Sequence, residues 1–285
     1  MQSMTTAPMS CVMCGAVGAR EVHTDSVPLV SNVFRVVRCA RCGLVRVDPA
    51  PSEEALSGYY DAYAEHMTSP GRGVMGEEEA EARADSDIAD LERFHAPGAL
   101  LDIGCGGGHI MRAAARRGWN VFGTETSARA VRALRSTFGA DRIGRDDELP
   151  AGGLARYDAI VLRHVLEHLR DPVGAMGRIR GMLATDGVLL CEVPDVNALC
   201  IRLRGRPLMG QMHLWHFGAR TLGRLLGLCG FEVMDLRFRD HRGPVGSAVH
   251  RLTRRAWFGL ENAAWRLAHL DIGANVRAFA RPKHE

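Results

Sequence analysis

The stretch that decides the fold is 99-ALLDIGCGGGHIMRAAARRGWNVFGTETS-127. It opens with a short apolar run typical of a buried strand and continues through a glycine-rich turn into a helical pattern and a second apolar run. The turn has glycine at alternate positions, Gly104, Gly106 and Gly108. This order predicts a β-α-β unit, whose glycines let a ligand approach the backbone and the helix N-terminus. Glu125 closes the second strand, 21 residues after Gly104, and could bind both hydroxyls of a ribose.

The glycine spacing distinguishes two kinds of nucleotide site. The dinucleotide-binding fingerprint, G-x-G-x-x-G, requires a third glycine at the position where this chain has His109. An NAD site is therefore the weaker alternative. The turn reads D-x-G-x-G-x-G and resembles motif I of the class I S-adenosylmethionine-dependent methyltransferases. The resemblance implies a cofactor site made of Asp102, Gly104, Cys105, Gly106, Gly108, Glu125 and Thr126, with Arg163 and His164 from the segment after the fourth strand. An acid after the third strand, Asp146 or Asp147, would contact the adenine edge.

The segment VLRHVLEHLRDP contains H-x-x-E-H, the zinc signature of inverted metalloproteases. That chemistry needs both histidines on one face of a long helix, but Asp171 can cap and Pro172 can start a new helix soon after. The phrase instead resembles V-L-E-H-x-x-D-P, which follows strand four in ubiquinone-biosynthesis O-methyltransferases and many bacterial small-molecule methyltransferases. The resemblance implies that His164, Glu167 and His168 lie near the sulfonium of the cofactor.

Four histidines are candidates for a catalytic base, because imidazole accepts protons near neutral pH. They are His168, His216, His164 and His213, and we rank the first two ahead of the others. His216 belongs to the family-like HF phrase on the acceptor side, and His168 to the loop at the methyl group. A pocket metal held by His164, Glu167 and His168 is a second interpretation, and for each histidine a structural role is the alternative.

Two C-x-x-C pairs near the N-terminus predict a separate metal site. Cys11, Cys14, Cys39 and Cys42 can present four thiolates to one structural zinc ion. A redox pair or coincidence is the alternative interpretation. An N-terminal ribbon of this kind resembles modules found ahead of methyltransferase domains in bacterial enzymes. Sugar C-methyltransferases of that sort carry a long extra C-terminal domain that is not seen here, which weakens that assignment.

These patterns predict an α/β chain with a doubly wound, Rossmann-like methyltransferase sheet preceded by a four-cysteine zinc ribbon. The expected organisation is a flexible N-terminus over 1–10, the ribbon over 11–50, a helical linker or cover over 51–95, and the methyltransferase domain over 96–285. The charged segment GEEEAEARADSDIADLERF within the linker predicts a charged helix that forms a solvated cover over the next domain. A helical insertion over 240–271 precedes the last strand, and its apolar stripe would pack on the core or a homodimer mate, wall the substrate pocket or lie on a membrane surface.

Composition limits the function. The 285 residues have a formal net charge of +3 and no apolar run long enough for a transmembrane helix, so we expect a cytoplasmic protein without stable membrane insertion. The leading hypothesis is a methyltransferase acting on a small-molecule metabolite or glycan, directed to oxygen. An RNA methyltransferase gripping nucleic acid through the ribbon, a sugar C-methyltransferase and a binding scaffold without catalysis are the alternatives; the ribbon's few arginines argue against the first of these.

Overall fold

The computed structural model describes residues 10–26, 33–52, 56, 76–145, 156–197, 213–239 and 275–283. Its N-terminal part is a four-stranded antiparallel sheet of β1 (Ala19–Ser26), β2 (Val33–Cys39), β3 (Val45–Asp48) and β9 (Trp215–His216), in that order. The fourth strand, Trp215–His216, lies between β8 and β10 in the chain, far in sequence from the other three. The ribbon predicted for 11–50 therefore completes its sheet with a segment that lies beyond the predicted ribbon boundary.

The second sheet has seven strands in the order β10-β11-β8-β7-β4-β5-β6. Its strands are β4 (Ala99–Ile103), β5 (Asn120–Glu125), β6 (Ile143–Arg145), β7 (Tyr157–Arg163), β8 (Leu183–Pro194), β10 (Phe231–Arg239) and β11 (Asn275–Pro282). Strands β4 to β8 run parallel, and β11 lies antiparallel to both β8 and β10. This topology confirms the predicted doubly wound methyltransferase sheet.

Helices cover both faces of this sheet. They are α1 (Glu77–Leu91), α2 (His109–Arg116), α3 (Ala128–Phe138), α4 (Pro172–Met182) and α5 (Ala219–Leu228). The predicted start of α4 is confirmed: the Asp171 side chain accepts a hydrogen bond from the Gly174 N–H, and Pro172 occupies the first helical position, where its missing N–H costs nothing.

Two apolar cores lie on opposite faces of the sheet. One core is formed by α1, α2 and side chains from one face of β4 and β5, and Ile88, Met111 and Trp119 are buried in it. The other joins α4 and α5 to the ribbon, since Val36 and Val45 of the ribbon belong to the same buried cluster as Leu222. The ribbon thus packs directly against the methyltransferase sheet.

Helix α1, formed by the charged segment, buries one of its faces. Its buried residues are Ala80, Arg83, Ala84, Asp87, Ile88 and Leu91. They recur at intervals of three and four, which places them on one helical face. Two of these residues, Arg83 and Asp87, are charged, and each is buried in ion pairs with side chains of opposite charge, which are described below.

Several predictions fall outside the described residues. These include the adenine-contacting Asp146 or Asp147, the 240–271 insertion, the first ten residues apart from Ser10, and most of the 51–75 segment. Within the described part of the chain, no helix is long and apolar enough to cross a membrane.

Candidate active site

The glycine turn and the loop after β7 meet at the point where the sheet order reverses. The chain leaves β4 towards β5 and β6 and then returns to β7 on the other side of β4, which makes a crevice at the carboxyl ends of β4 and β7. Gly104 lies so close to the loop after β7 that a Cβ at this position would be 2.5 Å from Val165 Cγ2. The structure therefore brings the predicted cofactor turn and the H-x-x-E-H segment together.

Gly106 is the residue of the turn that faces open space. Its φ is +53°, in the left-handed region that favours glycine, and a Cβ would meet no described atom within 4 Å. Gly108, with φ +76°, precedes α2 and packs against α3: a Cβ there would lie 2.6 Å from Leu134 Cδ2. The first of these positions is free for close approach by a ligand, and the second serves packing.

Two carboxylates flank the turn. Asp102, near the end of β4, is buried, and burial raises its pKa to about 7, with Arg163 opposing the shift. Glu125, the last residue of β5, accepts hydrogen bonds from the Gly106 N–H at 2.8 Å and the Ser127 N–H at 2.9 Å. The neighbouring Thr126 hydroxyl also donates to Glu125, so the predicted ribose acid is directed at the glycine turn.

The Cys105 side chain does not face the crevice. It is buried, and burial raises the pKa of its thiol. A Cβ on Gly123 would lie 2.8 Å from its sulfur, which places the thiol against β5. Within the predicted cofactor set, Cys105 can therefore contribute only backbone.

The H-x-x-E-H segment is a loop and one turn of 3₁₀ helix, Leu166–His168. His164 directly follows β7 with φ +58°, a conformation uncommon for residues other than glycine, and its N–H donates to the Glu192 carbonyl at 2.9 Å. A protease site of this spacing needs a continuous helix. The local fold excludes that arrangement here and supports the interpretation as a methyltransferase loop.

A buried carboxylate lies at the centre of the histidines. Glu167 is 1% exposed, and neither of its oxygens has a hydrogen-bond partner among the described residues. His164 Nδ1 lies 3.4 Å from Glu167 Oε1. The His168 and His213 rings are in edge contact with centroids 4.8 Å apart, and the His213 and His216 centroids are 6.2 Å apart. All four predicted histidines therefore surround the end of β7.

The environments of these histidines differ. Burial alone would lower the pKa of His164, but the negative charges of the nearby Glu167 and Glu192 carboxylates raise it above its ordinary value. Burial lowers the pKa of His213 to about 3 and that of His216 to about 4. His213 and His216 are thus neutral at pH 7, whereas His164 favours the cation. His168 is half-buried and is the more accessible neighbour of His213.

One group here could hold a metal ion. Glu167, His168 and His213 each offer a ligand atom, and these atoms lie within 4.8 Å of one another. The sequence interpretation had grouped His164 with Glu167 and His168. In the structure His213 completes the group, because the His164 ring lies between two carboxylates, with Nε2 3.4 Å from Glu192 Oε1.

A buried ion network behind the loop was missed by the sequence interpretation. Asp87 of α1 pairs with Arg163 at 2.7 Å, with Arg277 at 2.6 Å and with Arg239. Glu192 of β8 accepts from Arg277 Nε at 2.7 Å and pairs with Arg83. The predicted cofactor residue Arg163 is thereby anchored to α1. The sequence does carry a signal for this network: Glu192 and Arg277 interrupt the apolar runs GVLLCEV and ANVRAFA. A charged residue inside a buried strand is rarely left unpaired, so each indicates an ion pair.

The four N-terminal cysteines converge as predicted. Their sulfur atoms form one group, with Cys11 Sγ 3.5 Å from Cys42 Sγ and Cys14 Sγ 3.6 Å from Cys39 Sγ. A tetrahedral zinc with Zn–S bonds of about 2.3 Å would separate its sulfurs by about 3.8 Å, so the arrangement fits this ion. Burial alone would raise the pKa of Cys39, but backbone donors at Cys42 and Arg41 lower it to about 6. Burial raises the pKa of Cys11 and raises that of Cys42 to about 12, so the positions of the four sulfur atoms are what support a zinc site.

Known proteins support the assignment. The family model described as a methyltransferase domain matches residues 77–236, more than half of the chain. A ubiquinone biosynthesis O-methyltransferase of Cereibacter sphaeroides is 29% identical over 225 residues, which cover 76% of this chain and 87% of that protein.

Solved structures share the fold. The 1,6-didemethyltoxoflavin-N1-methyltransferase of Burkholderia thailandensis, solved with S-adenosylhomocysteine, matches with a TM-score of 0.55 and 19% identity, covering 86% of this chain and 97% of that one. A SAM-dependent methyltransferase from Archaeoglobus fulgidus matches with a TM-score of 0.53 and 18% identity, covering 78% and 99%. Together with the family match and the glycine turn between two strand-end acids, they show that this chain belongs to the class I S-adenosylmethionine-dependent methyltransferases.

Proposed function

We propose that this methyltransferase acts on an oxygen atom of a small-molecule metabolite or glycan acceptor. The observation that carries the proposal is the group of imidazoles around Glu167, placed at the end of β7 against the cofactor turn. An oxygen acceptor must lose a proton, and neutral imidazole can receive it. The similarity to O-methyltransferases of ubiquinone biosynthesis supports the same chemistry. A cytoplasmic location and the domain boundaries stay predictions.

The residues at the glycine turn fit S-adenosylmethionine. Glu125 offers two carboxylate oxygens to ribose hydroxyls, the open position at Gly106 admits close backbone contact, and Asp102 lies at the base of the turn for the amino acid end. When bound, the cofactor supplies a sulfonium methyl group that is already electrophilic. The protein's own task is therefore to align the acceptor, exclude water and remove one proton.

We assign the proton-accepting role to His168. It is half-buried and lies beside Glu167, whose charge can stabilise the imidazolium that forms. His164 favours its cation between two carboxylates and is a poorer acceptor. His213 and His216 are deeply buried, and with their lowered pKa values they suit orienting the acceptor better than holding a proton. His216 remains the second candidate for the base.

The direct test is an acceptor screen. Purified protein with the cofactor is incubated with candidate metabolites and glycans, and products one methyl group heavier are detected by mass spectrometry. The carbon-13 chemical shift of the transferred methyl group, measured by NMR, then distinguishes O- from N- and C-methylation. Methylation of RNA, with binding that weakens steeply as salt rises, would overturn the small-molecule proposal.

Cofactor binding should fail in Gly106→Asp. The substitution places a side chain and a negative charge beside Glu125 and at the open ligand position, and like-charge juxtaposition costs several kcal/mol. We expect the dissociation constant for S-adenosylmethionine, measured by calorimetry, to rise roughly a hundredfold or more. Gly106→Asn is the matched control, because asparagine tolerates the left-handed conformation without the charge. Wild-type affinity in Gly106→Asp would show that the cofactor site is elsewhere.

We propose further that Cys11, Cys14, Cys39 and Cys42 hold one structural zinc ion. Elemental analysis of freshly reduced protein should give about one zinc per chain, the number that four thiolates bind as a closed site. Cys39→Ser should lose most of that zinc, whereas Cys229→Ser, which alters a half-buried thiol outside the group, should keep it. A reduced, folded wild-type protein without zinc would contradict the assignment.

A further inference from the structure

The second cysteine knuckle is the turn that joins β2 to β3. Cys39 ends β2, and its N–H donates to the Leu44 carbonyl at 2.9 Å, while the Gly43 N–H donates to the Cys39 carbonyl at 3.0 Å. β3 begins at Val45, three residues after Cys42. The position of β3 is therefore set by the same backbone that presents two of the four thiols.

β3 in turn holds the segment with two of the site histidines. Val45 pairs with His216 and Arg46 with Trp215 in antiparallel register, and the Val47 N–H donates to the Leu214 carbonyl at 3.0 Å. A two-residue strand such as β9 has little stability of its own. Its conformation depends on the strand beside it, which belongs to the ribbon.

The other side of this segment is tied to the loop after β7. The Leu214 N–H donates to the Glu167 carbonyl at 2.8 Å, and the Trp215 indole N–H donates to the Leu169 carbonyl at 2.7 Å. Val45 and Leu214 also share one buried apolar cluster. His213 and His216 are thus held between the ribbon and the loop with Glu167 and His168.

From this arrangement we propose that the ribbon positions the acceptor-side histidines: the four-cysteine site fixes β3, and the backbone of Val45–Val47 fixes His213 and His216 against Glu167. Val47 is the positioning residue, acting through its N–H. The glycine turn follows β4 in the seven-stranded sheet, whereas β3 and β9 belong to the four-stranded sheet, so we expect cofactor binding to survive loss of this link. The proposal rests on the proposed function only in assigning these histidines to the acceptor side.

The test compares Val47→Pro with Val47→Ala by amide hydrogen exchange. Proline removes the N–H that bonds Leu214, whereas alanine removes two methyl groups and keeps it. One hydrogen bond contributes about 1 kcal/mol, so we expect exchange at 214–217 to be roughly fivefold to tenfold faster in Val47→Pro than in Val47→Ala. Exchange across β4 and β5 and the calorimetric affinity for S-adenosylmethionine should match wild type in both. With an acceptor identified, kcat should fall in Val47→Pro more than in Val47→Ala.

Zinc-free protein, prepared with a chelator or as Cys39→Ser, should show the same faster exchange at 214–217 with cofactor affinity kept. Equal exchange in the two Val47 variants together with unchanged exchange after zinc removal would overturn the proposal. If Cys39→Ser does not fold, the Val47 pair decides alone, since both variants keep all four cysteines. Exchange and cofactor affinity require no acceptor, so a wrong acceptor class would leave this result standing.

Discussion

Replacing His168 by alanine should lower the single-turnover rate of methyl transfer at neutral pH by roughly 10²–10⁴, the usual contribution of a general base. The loss follows because the variant lacks the imidazole beside Glu167 that is proposed to accept the acceptor's proton. Cofactor affinity should stay within a few-fold, since the Gly104 contact to this loop is made by Val165. A single-turnover measurement is needed because product release can mask the chemical step.

The remaining histidines give the matched comparison. His164→Ala, His213→Ala and His216→Ala remove imidazoles from the same group, and we expect each to cost less than His168→Ala. A larger loss in His216→Ala would transfer the role of base to His216. Near wild-type rates in all four variants would show that catalysis here is alignment alone.

Treatment with a chelator distinguishes catalysis by a His168 base from catalysis that needs a metal ion in the pocket. An ion held by Glu167, His168 and His213 would make activity sensitive to a chelator and recoverable with magnesium or zinc, and Glu167→Gln would then lose activity together with His168→Ala. Activity that resists a chelator too weak to remove the ribbon zinc would support His168 as a base acting without metal.

The local patterns predicted the methyltransferase sheet well. β4, the glycine turn and β5 follow in the predicted order, and Glu125 ends β5 as predicted, because alternating glycines and short apolar runs act within a few residues. Pro172 fixed the start of α4 in the same way, and the four cysteines identified their own group. Each of these signals is encoded by neighbouring residues, so one sequence suffices to read it.

The interactions that sequence could not supply are those between distant segments. Asp87 and Arg277 are 190 positions apart, and neither carries a local sign of its partner. The pairing of β3 with β9 likewise joins the ribbon to a two-residue strand too short for any periodicity to reveal. The grouping of His213 with Glu167 and His168 depends on that pairing. Local spacing alone therefore predicted His164, and not His213, as the third ligand of a pocket metal.

Asp87→Asn should destabilise the fold by about 3–5 kcal/mol, the usual effect of removing one partner from a buried ion pair. Asp87 is fully buried and faces Arg163, Arg239 and Arg277. Without its charge, Glu192 is left as the buried carboxylate of the network facing Arg83 and Arg277. The free energy of unfolding in urea measures the loss. Asp85→Asn, on the exposed side of the same helix with a pair to Arg116, should change it by only about 0–1 kcal/mol.

The same network sets the direction of the pH dependence. Burial alone would raise the pKa of Asp87, but the three arginines outweigh it and lower the pKa below its ordinary value; Arg277 and Arg83 likewise hold the pKa of Glu192 well below its usual range. Carboxylates with lowered folded-state pKa values stabilise the fold above their unfolded pKa of about 4. This stabilisation is lost as the pH falls through the folded-state values. The contribution of the Asp87 charge to the difference in unfolding free energy between wild type and Asp87→Asn should therefore persist down to about pH 5 and shrink below about pH 4. A difference that grew on acidification would show that Asp87 is not held as a carboxylate by these arginines.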